Sequence, residues 1–285
     1  MTWPPPDGWP NRAASRQVRC APHRWHLQTA GTGKTVLLLH GAGASTSSWR
    51  DVFPALAQTF RVAAVDLPGH GFTSLGPPAS SGLDGMAANL HALCVQEDLV
   101  PDAIVGHSAG AAIALRLCEV AERKPGAVVG LNAALGKFDG LAGVLFPVIA
   151  KGLAAVPFTA SVFSALAGRR RQVAALLGST GSAVDDAALD SYLPLVRDPD
   201  HVKGALTMMA QWRLDGLLSR LDQIDVPTLF LAGAYDRTVP PRVSQSAAAA
   251  VPGAQVEILP GLGHLAHEEA PDEIAGRIAA FISAV

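Results

Sequence analysis

Three cysteines in 285 residues, Cys20, Cys94 and Cys118, are too few and too far apart for a disulfide framework, and none belongs to a C-x-x-C pair. Reduced thiols in a cytoplasm are the reading they favour. Charge is scarce as well. Only 16% of residues are charged, and 22 basic against 24 acidic side chains leave a net charge of -2. No basic field exists to hold a phosphate backbone, so nucleic-acid binding is excluded as an expectation. Disorder is excluded by the 49% apolar content. Histidines are scattered, without H-x-x-x-H or clustered Cys/His ligands, so neither a metal nor another cofactor is expected. The opening MTWPPPDGWPNR has prolines and a charge where a signal peptide needs an unbroken apolar run.

One long apolar stretch, residues 141–167, invites a transmembrane reading. Pro147, Lys151, Gly152 and Pro157 interrupt it, which favours two shorter buried helices and leaves peripheral contact with a bilayer as an alternative.

What is present is a rhythm of short apolar runs. A hairpin is expected near 17–19 and 24–28. TVLLLH at 35–40 is apolar throughout, the mark of a strand buried on both faces of a mostly parallel sheet. Helix signals over 45–60 precede a second such strand at 61–65. A third at 103–105 leads into helical 109–121, and a fourth lies at 127–131. From about 136 to 212 no run resembles a strand, and the spacing is helical. Strands return at 227–232 and 256–259, each followed by a helix. The pattern predicts an α/β fold, a doubly wound sheet with a helical lid inserted between the fourth and fifth buried parallel strands. The expected division is a core over 1–135 and 213–285 with a lid over 136–212, above the sheet edge where open α/β folds bind ligands.

Gly106-His107-Ser108-Ala109-Gly110 is a G-x-S-x-G between a strand and a helix. A tight strand-to-helix turn holds such a serine in a strained conformation, with its oxygen projecting at the top of the sheet. Ser108 is the expected nucleophile. His40-Gly41-Ala42-Gly43 ends the first buried strand, and the backbone N–H groups of Ala42 and Ala109 are the expected oxyanion donors. His40 itself reads as a structural residue that ties its loop down. Asp236 and His264 each follow a later strand, giving the chain order Ser, Asp, His. Asp236 is expected to orient the imidazole of His264, which takes the serine proton.

Rival residues fit less well. His267 reads as a helix-start residue and His107 as pointing away from the site. Asp225 precedes its strand, and Asp139 serves only if the acid has moved to an earlier strand. Trp49 and the lid residues Phe138, Phe146, Phe158, Phe163, Met208, Met209 and Trp212 are candidates for an apolar pocket suited to a large, flat or aliphatic ester. Arg169-Arg170-Arg171 reads as a solvated helix face, with recognition of carboxylates as the alternative.

HGAG, Asp66-Leu67-Pro68-Gly69-His70-Gly71, GHSAG, GAYDRTVP and GLGHLAHEE together resemble the α/β-hydrolase superfamily across essentially the whole chain. DGWPNRAASR, HGAGASTSSWRD, GHSAGAAIALRLC, LNAAL and HVKGALTMMAQW resemble the magnesium-chelatase accessory proteins of bacteriochlorophyll biosynthesis. That second resemblance implies a role in the magnesium branch of the pathway, with magnesium chelatase as a partner and a tetrapyrrole or other hydrophobic ester as substrate. It implies no reaction. Ester hydrolysis is the leading expectation, with C–C bond hydrolysis behind it. A perhydrolase or general carboxylesterase, and a non-catalytic porphyrin-binding or chaperone-like accessory, are the alternatives.

Overall fold

A computed structural model describes residues 1–136 and 159–285. An antiparallel hairpin of β1 (Ser15–Cys20) and β2 (His23–Ala30) joins a parallel sheet of β3 (Thr35–Leu39), β4 (Arg61–Val65), β5 (Ala103–His107), β6 (Ala127–Leu131), β7 (Thr228–Gly233) and β8 (Gln255–Leu259). The order is β1-β2-β4-β3-β5-β6-β7-β8, with β2 antiparallel to β4 and all later pairs parallel. The central strands are apolar throughout because helices cover both faces. On one face Leu37, Leu39, Ile104, Val128 and Phe230 pack with α2 (Leu83–Gln96), α3 (Ala109–Val120) and α9 (Pro241–Ala250). On the other, Val36, Leu38, Val105, Val129 and Leu231 pack with α1 (Val52–Leu56) and α11 (Pro271–Ala284).

Between β6 and β7 the described residues form α4 (Thr159–Ala167), α5 (Arg170–Ser179), α6 (Asp186–Arg197), α7 (Pro199–Gln211) and the single turn α8 (Asp215–Leu218). Their own apolar cluster, including Val173, Leu177, Leu189, Tyr192 and Leu195, also takes in Trp9 of the N-terminal arm and Phe72. A last short helix, α10 (Ala266–Glu269), follows β8. No helix among the described residues is long and apolar enough to cross a membrane.

Two local expectations differ from the structure. The helix expected over 45–60 is broken into a 3-10 turn, Thr46–Trp49, and the five-residue α1. Ser45 caps the 3-10 turn through Ser47 N–H, and the Thr46 N–H donates to Asp66 Oδ1 at 2.7 Å, so the chain is held to the sheet there. Helix α2 had no counterpart among the expected elements, although its buried Leu83, Met86, Ala87, Leu90, Leu93 and Cys94 follow a helical period.

Candidate active site

The turn from β5 to α3 is unusually tight. A Cβ on Gly106 would stand 2.3 Å from Gly110 O, and one on Gly110 would stand 2.2 Å from Leu39 O, so neither position tolerates a side chain. Between them Ser108 adopts φ 52° and ψ -116°, a conformation that non-glycine residues reach only under constraint. The constraint is visible: Ser108 N–H donates to Leu131 O at 2.9 Å, and its carbonyl accepts from Ala134 N–H at 3.1 Å. Ser108 is half-buried at the carboxyl edge of the sheet.

The loop after β3 lies against this elbow, since a Cβ on Gly41 would stand 3.0 Å from that of Ser108. His40 holds the loop by donating Nδ1–H to Gly41 O at 2.7 Å and accepting Leu67 N–H at Nε2 at 2.9 Å. Burial pushes its pKa down, as a neutral structural imidazole requires. Among the described residues the backbone N–H groups of Ala42 and Ala109 have no hydrogen-bond partner.

Asp236 and His264 meet because their loops are cross-linked. Ala234 N–H donates to Leu259 O and Tyr235 N–H to Leu262 O, at 2.9 and 2.8 Å. His264 Nδ1–H then donates to Asp236 Oδ2 at 2.7 Å, with both side chains buried. Oδ1 of the same carboxylate accepts Thr238 and Val239 N–H, each at 2.8 Å. With Nδ1 carrying the proton, Nε2 is the basic nitrogen. No hydrogen bond joins it to the Ser108 hydroxyl, a link commonly loose in ligand-free sites.

His107, next to Ser108, packs against the loop of His264. It donates Nε2–H to His264 O at 2.8 Å and stacks between His264 and His267 at centroid distances of 4.8 and 4.5 Å. Burial pushes His107 well below the usual imidazole range and His267 down to about 3. Asp225 pairs with Lys124 near the other end of the sheet.

A strained serine at a strand-to-helix elbow, beside a histidine already bonded to a carboxylate from the preceding strand's loop, is the arrangement of one fold family. A family model described as the alpha/beta hydrolase fold matches residues 34–271. The chain belongs to the α/β-hydrolase family. The chain is 43% identical over 275 residues to the magnesium-chelatase 30 kDa subunit of Rhodobacter capsulatus, covering 96% of each chain. It is 29% identical over 262 residues to the 2-hydroxy-6-oxo-6-(2'-aminophenyl)hexa-2,4-dienoic acid hydrolase of Metapseudomonas resinovorans, covering 89% of this chain and 86% of that one. Among solved structures, an α/β hydrolase fold protein from Burkholderia ambifaria aligns with a TM-score of 0.79 at 23% identity, over 94% of this chain and 97% of that one.

The helices between β6 and β7 are tied to these loops. His201 on α7 accepts Gly71 N–H at Nδ1 (3.0 Å) and donates Nε2–H to Gly43 O (3.1 Å), beside the elbow. One turn on, a Cβ on Gly204 would stand 1.9 Å from Gly69 O. The turn after α5 reaches the acid and base loops: Leu265 N–H donates to Ser182 Oγ at 2.8 Å, and Glu269 accepts from both Gly263 N–H and Ala183 N–H. Tyr192 on α6 donates to Glu268 Oε1 at 2.8 Å, with Arg50 Nη1 at 3.5 Å from the other carboxyl oxygen. Burial pushes Glu268 up to about 7. Ser182, Glu268 and Glu269 had no expected role, since their partners lie far away along the chain.

The apolar candidates do not form one wall. Trp49 is fully buried in the layer of α1 and α11, 4.6 Å from the His267 ring, because the 3-10 turn aims it into that core. Met208 is buried among core residues of the opposite layer, with Trp212 packed against them, and Met209 is half-buried. Phe163 is 45% exposed. Phe138, Phe146 and Phe158 lie outside the described residues.

Arg170 of the basic run pairs with Asp186 and Asp190, while Arg169 and Arg171 are exposed. Among the described residues no group of three or more His, Cys, Asp or Glu could hold a metal. The three cysteines are buried and unpaired, and burial pushes the Cys94 and Cys118 thiols up to about 12, which leaves them unreactive.

Proposed function

We propose that this chain is a serine hydrolase of an apolar carboxylic ester, with Ser108 as nucleophile, His264 as general base and Asp236 as the group that orients the base. The observation that carries this reading is the 2.7 Å bond from His264 Nδ1 to Asp236 Oδ2 beside the strained Ser108 elbow. Ser108 Oγ attacks the ester carbonyl as His264 Nε2 takes its proton. The oxyanion collects the N–H groups of Ala42 and Ala109, a pair in which each donor is worth about two to three decades in rate. His264 then returns the proton to the leaving alcohol, and water repeats the sequence on the acyl-enzyme. Hydrolysis of a C–C bond by the same residues is the second choice of reaction.

In this reading residues 136–212 act as a cap over a core formed by 1–135 and 213–285, and the substrate is a tetrapyrrole ester or an ester of similar bulk. Support for the tetrapyrrole comes from the 43% identity to a magnesium-chelatase subunit. That same identity favours a second reading, in which the chain binds a porphyrin or the chelatase without catalysis. The test is mass spectrometry of magnesium-porphyrin esters incubated with the protein and with Ser108→Ala, together with complementation of a pathway mutant by both. Loss of ester cleavage and of complementation in Ser108→Ala supports hydrolysis. Full complementation by Ser108→Ala decides for binding. Peripheral contact of the cap with a bilayer belongs to the same reading, supported by the exposed Val162, Phe163 and Leu166 beside Arg169 and Arg171. Co-sedimentation with anionic vesicles tests it, and no binding at low salt rejects it.

A further inference from the structure

Asn132 lies one residue beyond β6, fully buried, with φ 47°. Its N–H donates to Leu231 O at 2.8 Å, which fixes it between β6 and β7. Left-handed backbone excludes β-branched and bulky residues there but accepts asparagine, aspartate and glycine. The side chain Nδ2 donates to Asp236 Oδ2 at 2.7 Å and lies 3.3 Å from Gly263 O, the residue before His264. One amide thus touches both the carboxylate and the loop of the imidazole that the carboxylate must meet.

We infer that Asn132 is a positioning residue that locks the Asp236 carboxylate in the plane His264 requires; this deepens the serine-hydrolase reading and rests on it. Asp236 Oδ1 is held by two backbone N–H groups, so the carboxylate can still turn about that end. Oδ2 has two donors, His264 and Asn132, and only Asn132 is anchored independently of the base. Without it, the imidazole is the one remaining donor to Oδ2 among the described residues.

Two features argue against a mere space-filling role. Among the described residues Asn132 Oδ1 is buried with no partner, a desolvation cost that glycine at this position avoids. An aspartate of the same shape satisfies the backbone equally but sets a second carboxylate against Asp236. Of the three residues that suit this backbone, asparagine alone supplies a donor that does not depend on a titrating proton.

Asn132→Gly and Asn132→Asp both suit the backbone conformation, and circular dichroism establishes that each folds. The rate of Ser108 modification by a fluorophosphonate is expected to fall about tenfold in Asn132→Gly and about a hundredfold in Asn132→Asp, the scale set by misaligning a reacting group. On a hydrolysed ester kcat should fall by the same factors with KM unchanged, since Asn132 is not proposed to touch substrate. In ¹⁵N-histidine-labelled protein the Nδ1–H proton of His264 should be protected from solvent exchange in the wild type and lose that protection in both variants. Wild-type labelling rates and wild-type protection in a folded Asn132→Asp would overturn the inference. If the wild type resists the probe, the hydrolase reading fails while the exchange measurement still decides the role of Asn132.

Discussion

Acidification should destabilise this protein, and the structure sets the sign. His40, His70, His107, His201 and His267 are buried and each is held below the ordinary imidazole value, first by burial. A neutral imidazole that resists protonation when folded but takes a proton when unfolded loses stability as pH falls through about 6.5 towards the folded value. His201 is pushed down to about 4 and His267 to about 3, so at pH 5 each loses about 2 kcal/mol relative to pH 7.5. Glu268 acts in the opposite direction. Burial raises it to about 7, among Tyr192, Arg50 and His267, so the folded state holds its proton more tightly between pH 4.5 and 7. Over the same range it returns about 2 kcal/mol.

Two histidines therefore outweigh one glutamate, and His40, His70 and His107 add to their side. The free energy of unfolding, ~5–15 kcal/mol for a typical domain, should drop by at least about 2 kcal/mol between pH 7.5 and 5. Urea titrations followed by tryptophan fluorescence at half-unit steps of pH measure it. Glu268→Gln removes the opposing contribution and should steepen the fall by a further ~2 kcal/mol. A flat or rising profile in the wild type would refute the assignment of these histidines as neutral and buried.

Gly204→Ala puts a methyl 1.9 Å from Gly69 O and should force α7 off its loop, at about 1–3 kcal/mol or more. Lower thermal stability and faster proteolysis between β6 and β7 are the expected readouts, and an unchanged melting temperature counts against that contact. Asp66→Ala strands the Thr46 and Phe72 N–H groups and His26 Nδ1, all within 2.8 Å of the buried carboxylate. It should cost at least about 3 kcal/mol in denaturant titrations. Asp236→Asn should lower kcat on any cleaved ester by roughly 10³–10⁴ with little change in melting temperature; a loss under tenfold removes Asp236 from the mechanism.

The sheet was legible because strands buried on both faces must be continuously apolar, as at 35–39, 61–65 and 127–131. Ser108 and Asp236 stood out because each follows such a strand, and His264 because it follows the edge strand β8, which is exposed along most of its length; connectivity alone places these parallel strand ends at one rim. The broken first helix was not legible, since the contact that holds it comes from Asp66, twenty positions away from Thr46. Asn132 carries no local signature either: its partner Asp236 is 104 positions distant. Apolarity also fails to say which side of a sheet a large residue will fill. Trp49 and Met208 are similar in the sequence and lie in opposite layers.

Intact-mass spectrometry after treatment with an alkyl fluorophosphonate tests most directly whether the serine relay is armed. One adduct per folded chain, mapping to Ser108 and absent from Ser108→Ala and from urea-unfolded protein, is the predicted outcome. A folded wild type that gains no adduct, or carries it on another residue, contradicts the account.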